Sequence, residues 1–350
     1  MRRAFACIVL VLVARSAGAH QERLPTTIPE KWNAWCARCH GTDGVGKVAV
    51  PTVPVEPMDF SDCKIATAEP DADWEMAITH GGPAVGLSSQ MPAFGDVVTP
   101  EEVRGFVRHI RGFCKEPGWP AGNLNLPRPI FAEKAFPENE IVILPVASHA
   151  PNQRTAYQLK TVYERRVGRR AQIEAVLPFE SIYVGTRETG LGDIELGVKY
   201  ALTPGRRHLV SAGLDVAIGT GQEADLAGST GAVIEPYIAT ATVIGNAYLQ
   251  GQFKMEFPTK TSWRSRETIF HVYLGRDTSA FPTTWTVGVE FSGENTELDL
   301  TPQVRKGLTR TGALAAAFGV SLPLNERDER GVKWVGYLLW EYLEPVFARR

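Results

Sequence analysis

"LGDIELGVKYAL" (residues 191–202) alternates without a break. Ile194, Leu196, Val198, Tyr200 and Leu202 fall on one side, and Asp193, Glu195, Gly197 and Lys199 on the other. A period of two sends successive side chains to opposite faces of a strand. The pattern returns in "AYLQGQFKMEF" (247–257), where Leu249, Phe253, Met255 and Phe257 oppose Tyr248, Gln250, Gln252, Lys254 and Glu256. "TWTVGVEF" (284–291) repeats it with Trp285, Val287, Val289 and Phe291 on the apolar side.

Two all-β folds use such strands. A soluble sandwich buries the apolar face between sheets, whereas a membrane barrel turns that face to lipid and keeps the polar one around a lumen. The runs span roughly 10 to 14 residues, against roughly 5 to 6 for a globular strand, which favours the barrel. Aromatics gather near run ends, Tyr157, Tyr183, Tyr200, Trp285, Trp334 and Trp340 among them, as in interfacial girdles. No helical segment interrupts the strands from 154 onward, and about twelve can be counted between 139 and 344. An even count suits a bacterial barrel. The first strand, Ile141 to Ala150, contains Pro145; the last, Val332 to Leu343, is rich in Trp and Tyr. "GLGDIELGVKY" (190–200) also resembles a strand of bacterial outer-membrane barrel and channel proteins. The chain departs from that group at its end, where Phe347 is followed by Ala-Arg-Arg. The polar faces mix signs (Glu174, Glu195, Lys199, Asp215, Lys254, Arg305), which points to a mutually neutralised interior more than to a selective pore.

The remaining sequence is of another kind. The chain has 350 residues, 44% hydrophobic and 22% charged, which suits two folded domains and excludes disorder. A net charge of −2, with no basic tract interleaved with aromatics, gives no reason to expect nucleic acid. Arg2 and Arg3, the apolar stretch Ala4–Ala14 and the small residues Ala17-Gly18-Ala19 have the form of a signal peptide over 1–19. Its apolar core is too short for a membrane span, which takes roughly 20 residues. Cys7 would leave with it, and the other cysteines would enter an oxidising compartment.

"CARCHG" (36–41) pairs Cys36 and Cys39 three residues apart, with His40 directly after. On a helix the two thiols are surface neighbours, placed to add to the two vinyl groups of a porphyrin, while His40 presents its imidazole to the iron. A helix from Pro29 to about His40 would carry the motif. A zinc site lacks its second ligand pair, and a thioredoxin-like pair lacks its βαβ setting. A sixth ligand is offered by Met91 in "SSQMPAFGD" (88–96), with Met58, Met76 and His80 as rivals. A further helix follows, with Thr99 as N-cap, Pro100 at its first position, Glu101 and Glu102 in its first turn, and the stripe Val103, Phe106, Val107, Ile110 and Phe113. His109 lies off the stripe, a position that suggests solvent.

Cys36-Ala37-Arg38-Cys39-His40, then Met91-Pro92-Ala93-Phe94-Gly95, then a C-terminal helix, together resemble a class I cytochrome c over 24–116. The resemblance implies a small all-α domain and one covalent haem c, bound by Cys36 and Cys39, with His40 and Met91 as axial ligands of the iron. Cys63 and Cys114, unused by the motif, are a disulfide candidate in an oxidising compartment; two buried free thiols are the alternative. Between them and the strands, 117–137 holds five prolines and reads as a semi-extended linker.

The expected molecule is therefore a small all-α cytochrome c domain followed by an all-β antiparallel up-and-down barrel over 138–350. With both axial positions filled it would be an electron carrier more than a catalyst. Its partners would be redox proteins of the periplasm and outer-membrane lipid. A transport channel with an accessory cytochrome is the alternative, and an enzyme finds little support, since His149, His208 and His271 stand alone in the β-region.

Overall fold

The computed structural model describes residues 24–46, 57–149, 155–203, 205–221, 231–260, 265–278 and 285–343. The expected signal peptide lies outside them.

The N-terminal domain is helical. Its first helix, α1, runs Ile28–Lys31, widens through a π turn at Trp32–Cys36, and ends with Ala37–His40. Thr27 and Glu30 close a reciprocal capping box at its start. Two short elements follow, α2 (Cys63–Ala66) and α3 (Asp71–His80), then α4 (Pro100–Arg111). The Thr99 side chain caps α4 and Glu102 answers it, as the sequence signals predict. Val103, Phe106, Val107 and Ile110 are buried in one cluster with Trp32, Phe60, Trp74, Ile78 and Val98. Gly105 lets α1 approach closely, because a Cβ there would lie 2.9 Å from Ile28 Cγ1. An ion pair between Lys31 and Glu102 ties the same two helices.

The C-terminal domain is a closed antiparallel barrel. Its strands are β1 (Glu140–His149), β2 (Thr155–Val167), β3 (Ala171–Val184), β4 in two pieces (Thr186–Leu191 and Ile194–Ala201), β5 (His208–Ile218) and β6 (Val233–Ile244). They continue as β7 (Ala247–Pro258), β8 (Glu267–Thr278), β9 (Trp285–Glu294), β10 (Glu297–Gly307), β11 (Leu314–Pro323) and β12 (Val332–Glu341). Both pieces of β4 pair with β3, and the bulge at Gly192-Asp193 separates them. Each strand pairs with its neighbours in sequence, and β1 closes the ring on β12 from Glu140↔Glu341 to His149↔Val332. The twelve expected strands are present. Pro145 is tolerated in β1 because the register with β12 skips Leu144 and Pro145.

Polarity is inverted relative to a soluble protein. Leu196, Val198, Tyr200 and Leu202 are each about half exposed on the outside, whereas Lys199 and Ala201 are buried inside. Phe253, Trp285 and Val287 face out in the same way, while Gln250, Thr286 and Glu290 face in. This is the barrel arrangement and not the sandwich.

The proline-rich stretch 117–137 does not run outside the barrel. It lacks regular structure apart from one turn at Gly122–Leu124, and from that turn onward it fills the lumen. Leu124, Leu126, Ala135 and Phe136 are buried against Leu209, Tyr237, Tyr248 and Tyr273 of the wall. A Cβ on Gly319 of β11 would lie 2.8 Å from Ile130 Cδ1, so this glycine makes room for the segment. The helical domain sits over the end of the barrel that carries the β2–β3 and β4–β5 turns. There Arg169 pairs with Glu116 at 3.0 Å, Arg170 Nε donates to the Gly118 carbonyl at 2.7 Å, and Asn123 Nδ2 donates to the Arg206 carbonyl at 2.9 Å.

Links at the two ends differ only in part. Ser181 to Gly190 is strand on both sides of a tight turn at Gly185, and Asn295-Thr296 forms another tight turn at the same end. The longer connections there lie between β5 and β6, β7 and β8, and β11 and β12.

Candidate functional site

The π turn carries Trp32 into the core, where it is 2% exposed and donates from Nε1 to the Gly41 carbonyl at 3.0 Å. That bond fixes the chain as it leaves the Cys-x-x-Cys-His motif. Gly41, at φ 76°, ends the helix. Backbone bonds from Gly46 N to the His40 carbonyl (3.0 Å) and from Phe60 N to the Gly44 carbonyl (2.8 Å) fold the following loop back. Phe60 thereby stacks on His40 with ring centroids 5.0 Å apart, and Trp32 flanks the imidazole at 5.9 Å.

The four cysteines among the described residues divide into one bonded and one unbonded pair. Cys63 and Cys114 form a disulfide, joining α2 to the end of the domain. Cys36 and Cys39 remain free and half-buried. Burial, with Cys39 beside it, pushes the Cys36 thiol up to about 11. Cys36, Cys39 and His40 do not converge on one point. Among the described residues, the groups whose ligand atoms all lie within 4.8 Å of one another are carboxylate sets in the barrel. Zinc needs convergence; attachment along a porphyrin edge needs the thiols spread on one helix face.

Burial also lowers the His40 pKa, so the neutral ring, the form that ligates iron, is favoured. Its Nδ1 is buried and makes no hydrogen bond. Met91 is held from three directions. Gly82 N donates to its carbonyl at 3.0 Å, its own N donates to the Ser88 carbonyl at 3.2 Å, and Phe94 N donates to the Ile78 carbonyl at 3.0 Å. Phe94 in turn stacks on Trp35 of α1 at 6.3 Å, drawing the Met91 loop to the motif helix. Cys36, Met91 and Met58 all pack against the Trp32–Phe106 cluster. Met76 and His80 instead line the cavity facing the barrel, which separates them from the motif. An imidazole with an unmet polar atom, two free thiols and a thioether on one apolar cluster fit a c-type haem.

His109 was expected in solvent but is half-buried. It packs on Trp32 at 5.4 Å and on Phe113 at 5.1 Å, with Nε2 buried and without a hydrogen-bond partner. Only its neighbours in space reveal this, since the helical stripe excludes it.

These features define a c-type cytochrome domain joined to a transmembrane-type barrel, and comparison with known proteins gives the same two parts. The model of the family "Cytochrome C oxidase, cbb3-type, subunit III" matches residues 24–110. The barrel is similar in fold to an outer membrane channel from Pseudomonas putida F1, at 13% identity over 61% of this chain and 99% of that one, with a TM-score of 0.44. It is also similar to the KdgM porin (11% identity, 58% and 99% coverage, TM-score 0.39) and the NanC porin (9% identity, 57% and 98% coverage, TM-score 0.39). No curated protein matches the sequence.

Proposed function

We propose that this chain carries electrons in the periplasm from a barrel anchored in the outer membrane. One haem c is bound through thioethers at Cys36 and Cys39, with His40 and Met91 as axial ligands. The observation that carries the reading is the placement of two unbridged thiols beside His40, with Met91 on the same apolar cluster. When bound, the group supplies one-electron chemistry; the chain supplies its seat. Trp32 and Phe60 fix the imidazole plane, the Met91 loop holds a weak thioether in place, and the apolar cluster limits water at the iron.

The outward Leu, Val and aromatic side chains of the barrel suit outer-membrane lipid as their partner. Cys36, Cys39, His40 and Met91 do not line the cavity between the two domains. That placement favours exchange with soluble redox proteins of the periplasm over exchange through the barrel.

The test is membrane fractionation followed by haem staining of a denaturing gel. The outer-membrane band should stain, and Cys36→Ala with Cys39→Ala should abolish the stain. Haem extracted from the wild type by acidified solvent would refute covalent attachment.

A further inference from the structure

The barrel interior, not the haem, carries a second inference. Among the described residues, the buried charged side chains on the strands are eight carboxylates and one lysine, Lys199. Partly buried residues such as Glu174, Lys254 and Arg305 add both signs without reversing the excess. A wall of this kind attracts cations.

Residues 122–138 answer that wall group by group. Arg128 donates to Glu164 at 2.8 Å, and Lys134 contacts Glu140 at 3.1 Å. Glu290 accepts the backbone amides of Phe131 (3.1 Å) and Ala132 (2.6 Å). Of the segment's own two carboxylates, Glu133 meets Lys199 of the wall at 2.6 Å and Glu138 meets Lys134 within the segment at 2.6 Å. Gln252 and Gln172 accept further backbone amides at 3.1 and 2.7 Å. Below the helical domain, a cavity of about 1370 Å³ leads to this layer and is lined in part by Lys134, Glu140, Arg305 and Glu341.

We propose that 122–138 is an internal plug closing a cation-preferring pathway, and that Arg128 and Lys134 hold the positions a permeating cation would take. With the plug displaced, Glu140, Glu164, Glu174 and Glu290 face the lumen against Lys199 and Arg305, so the open barrel passes small cations in preference to anions. The plug is the part that gives way. It has no backbone ladder of its own, whereas the strands of the ring pair with neighbours on both sides, apart from the outer piece of β4, which pairs with β3 alone.

The experiment is ion conductance in planar lipid bilayers. It does not depend on the haem assignment, so the two can fail separately. The wild-type chain should be silent. The Arg128→Gln, Lys134→Gln variant, with folding checked by heat-modifiable gel migration, should show discrete current steps. In a KCl gradient its reversal potential should carry the cation-selective sign, and adding Glu164→Gln and Glu290→Gln should move that potential toward zero. If the variant does not fold, urea is titrated onto the inserted wild type. Reversible cation-selective current at concentrations that leave the barrel intact supports the plug. Steady wild-type current, a folded but silent variant, anion selectivity, or silence up to barrel unfolding each overturns it.

Discussion

Met91 shares its apolar cluster with Met58, so the two methionines are separated by their loops and not by burial alone. The backbone bonds that hold Met91, and the Trp35–Phe94 stack beside it, are what support Met91 over Met58 as the proposed ligand. Met91→Ala should lower the reduction potential and remove the sulfur–iron band of the oxidised protein, because thioether ligation raises the potential. Met58→Ala should leave the band in place; the opposite pattern would reassign the ligand. His109 gives a pH effect with a definite sign. Burial lowers its pKa below the ordinary 6.5, so between those two values the unfolded chain binds more protons. Its contribution is fully present above pH 6.5 and is lost as pH falls through the folded value. His109→Gln should therefore flatten the fall in melting temperature of the haem domain between pH 7 and pH 5. An unchanged slope would mean that other groups set it. The Cys-x-x-Cys-His motif was legible because it is contiguous in the sequence. The burial of His109 was not, because it arises from Trp32 and Phe113, which no periodicity connects to it.

The Cys63–Cys114 disulfide closes a loop of 51 residues around α3, the Met91 loop and α4. Chain entropy assigns such a closure about 4 kcal/mol, a large share of the stability of a domain this small. Cys63→Ser with Cys114→Ser should lower the denaturant midpoint by that order, read from haem absorbance, and a loss under about 1 kcal/mol would show that the helices hold without it. The long strands were legible for a local reason: a wall between lipid and a lumen must alternate. The outer arms of β3 and β4 are less legible, because Thr186-Arg187-Glu188-Thr189 stands where both faces are polar and alternation fades. The plug escaped notice for a different reason. Its partners, Glu164, Lys199, Gln252 and Glu290, lie on four different strands, so no pattern within the segment announces them. Prolines signal an extended chain but carry no information about what surrounds it.

The helical domain caps the end of the barrel bearing short turns, and barrels place such turns in the periplasm. A tag at Asp225, outside the described residues between β5 and β6, should be labelled on intact cells, while one at Gly205, between β4 and β5, should not. The reverse pattern would put the haem outside the cell, and labelling of neither would remove the protein from the surface altogether. The position of the plug also has a consequence for biogenesis. It precedes β1 in the chain, and the ring closes by joining β1 to β12, the first and last strands made. The segment can therefore be laid along the growing wall before the seam zips, serving as a mandrel around which the staves are set. The helical domain with its disulfide belongs to the part of the chain that precedes the barrel. A cytochrome matured at that stage would arrive at the membrane already joined to its mandrel, and closing the seam would rivet it to the mouth of the barrel.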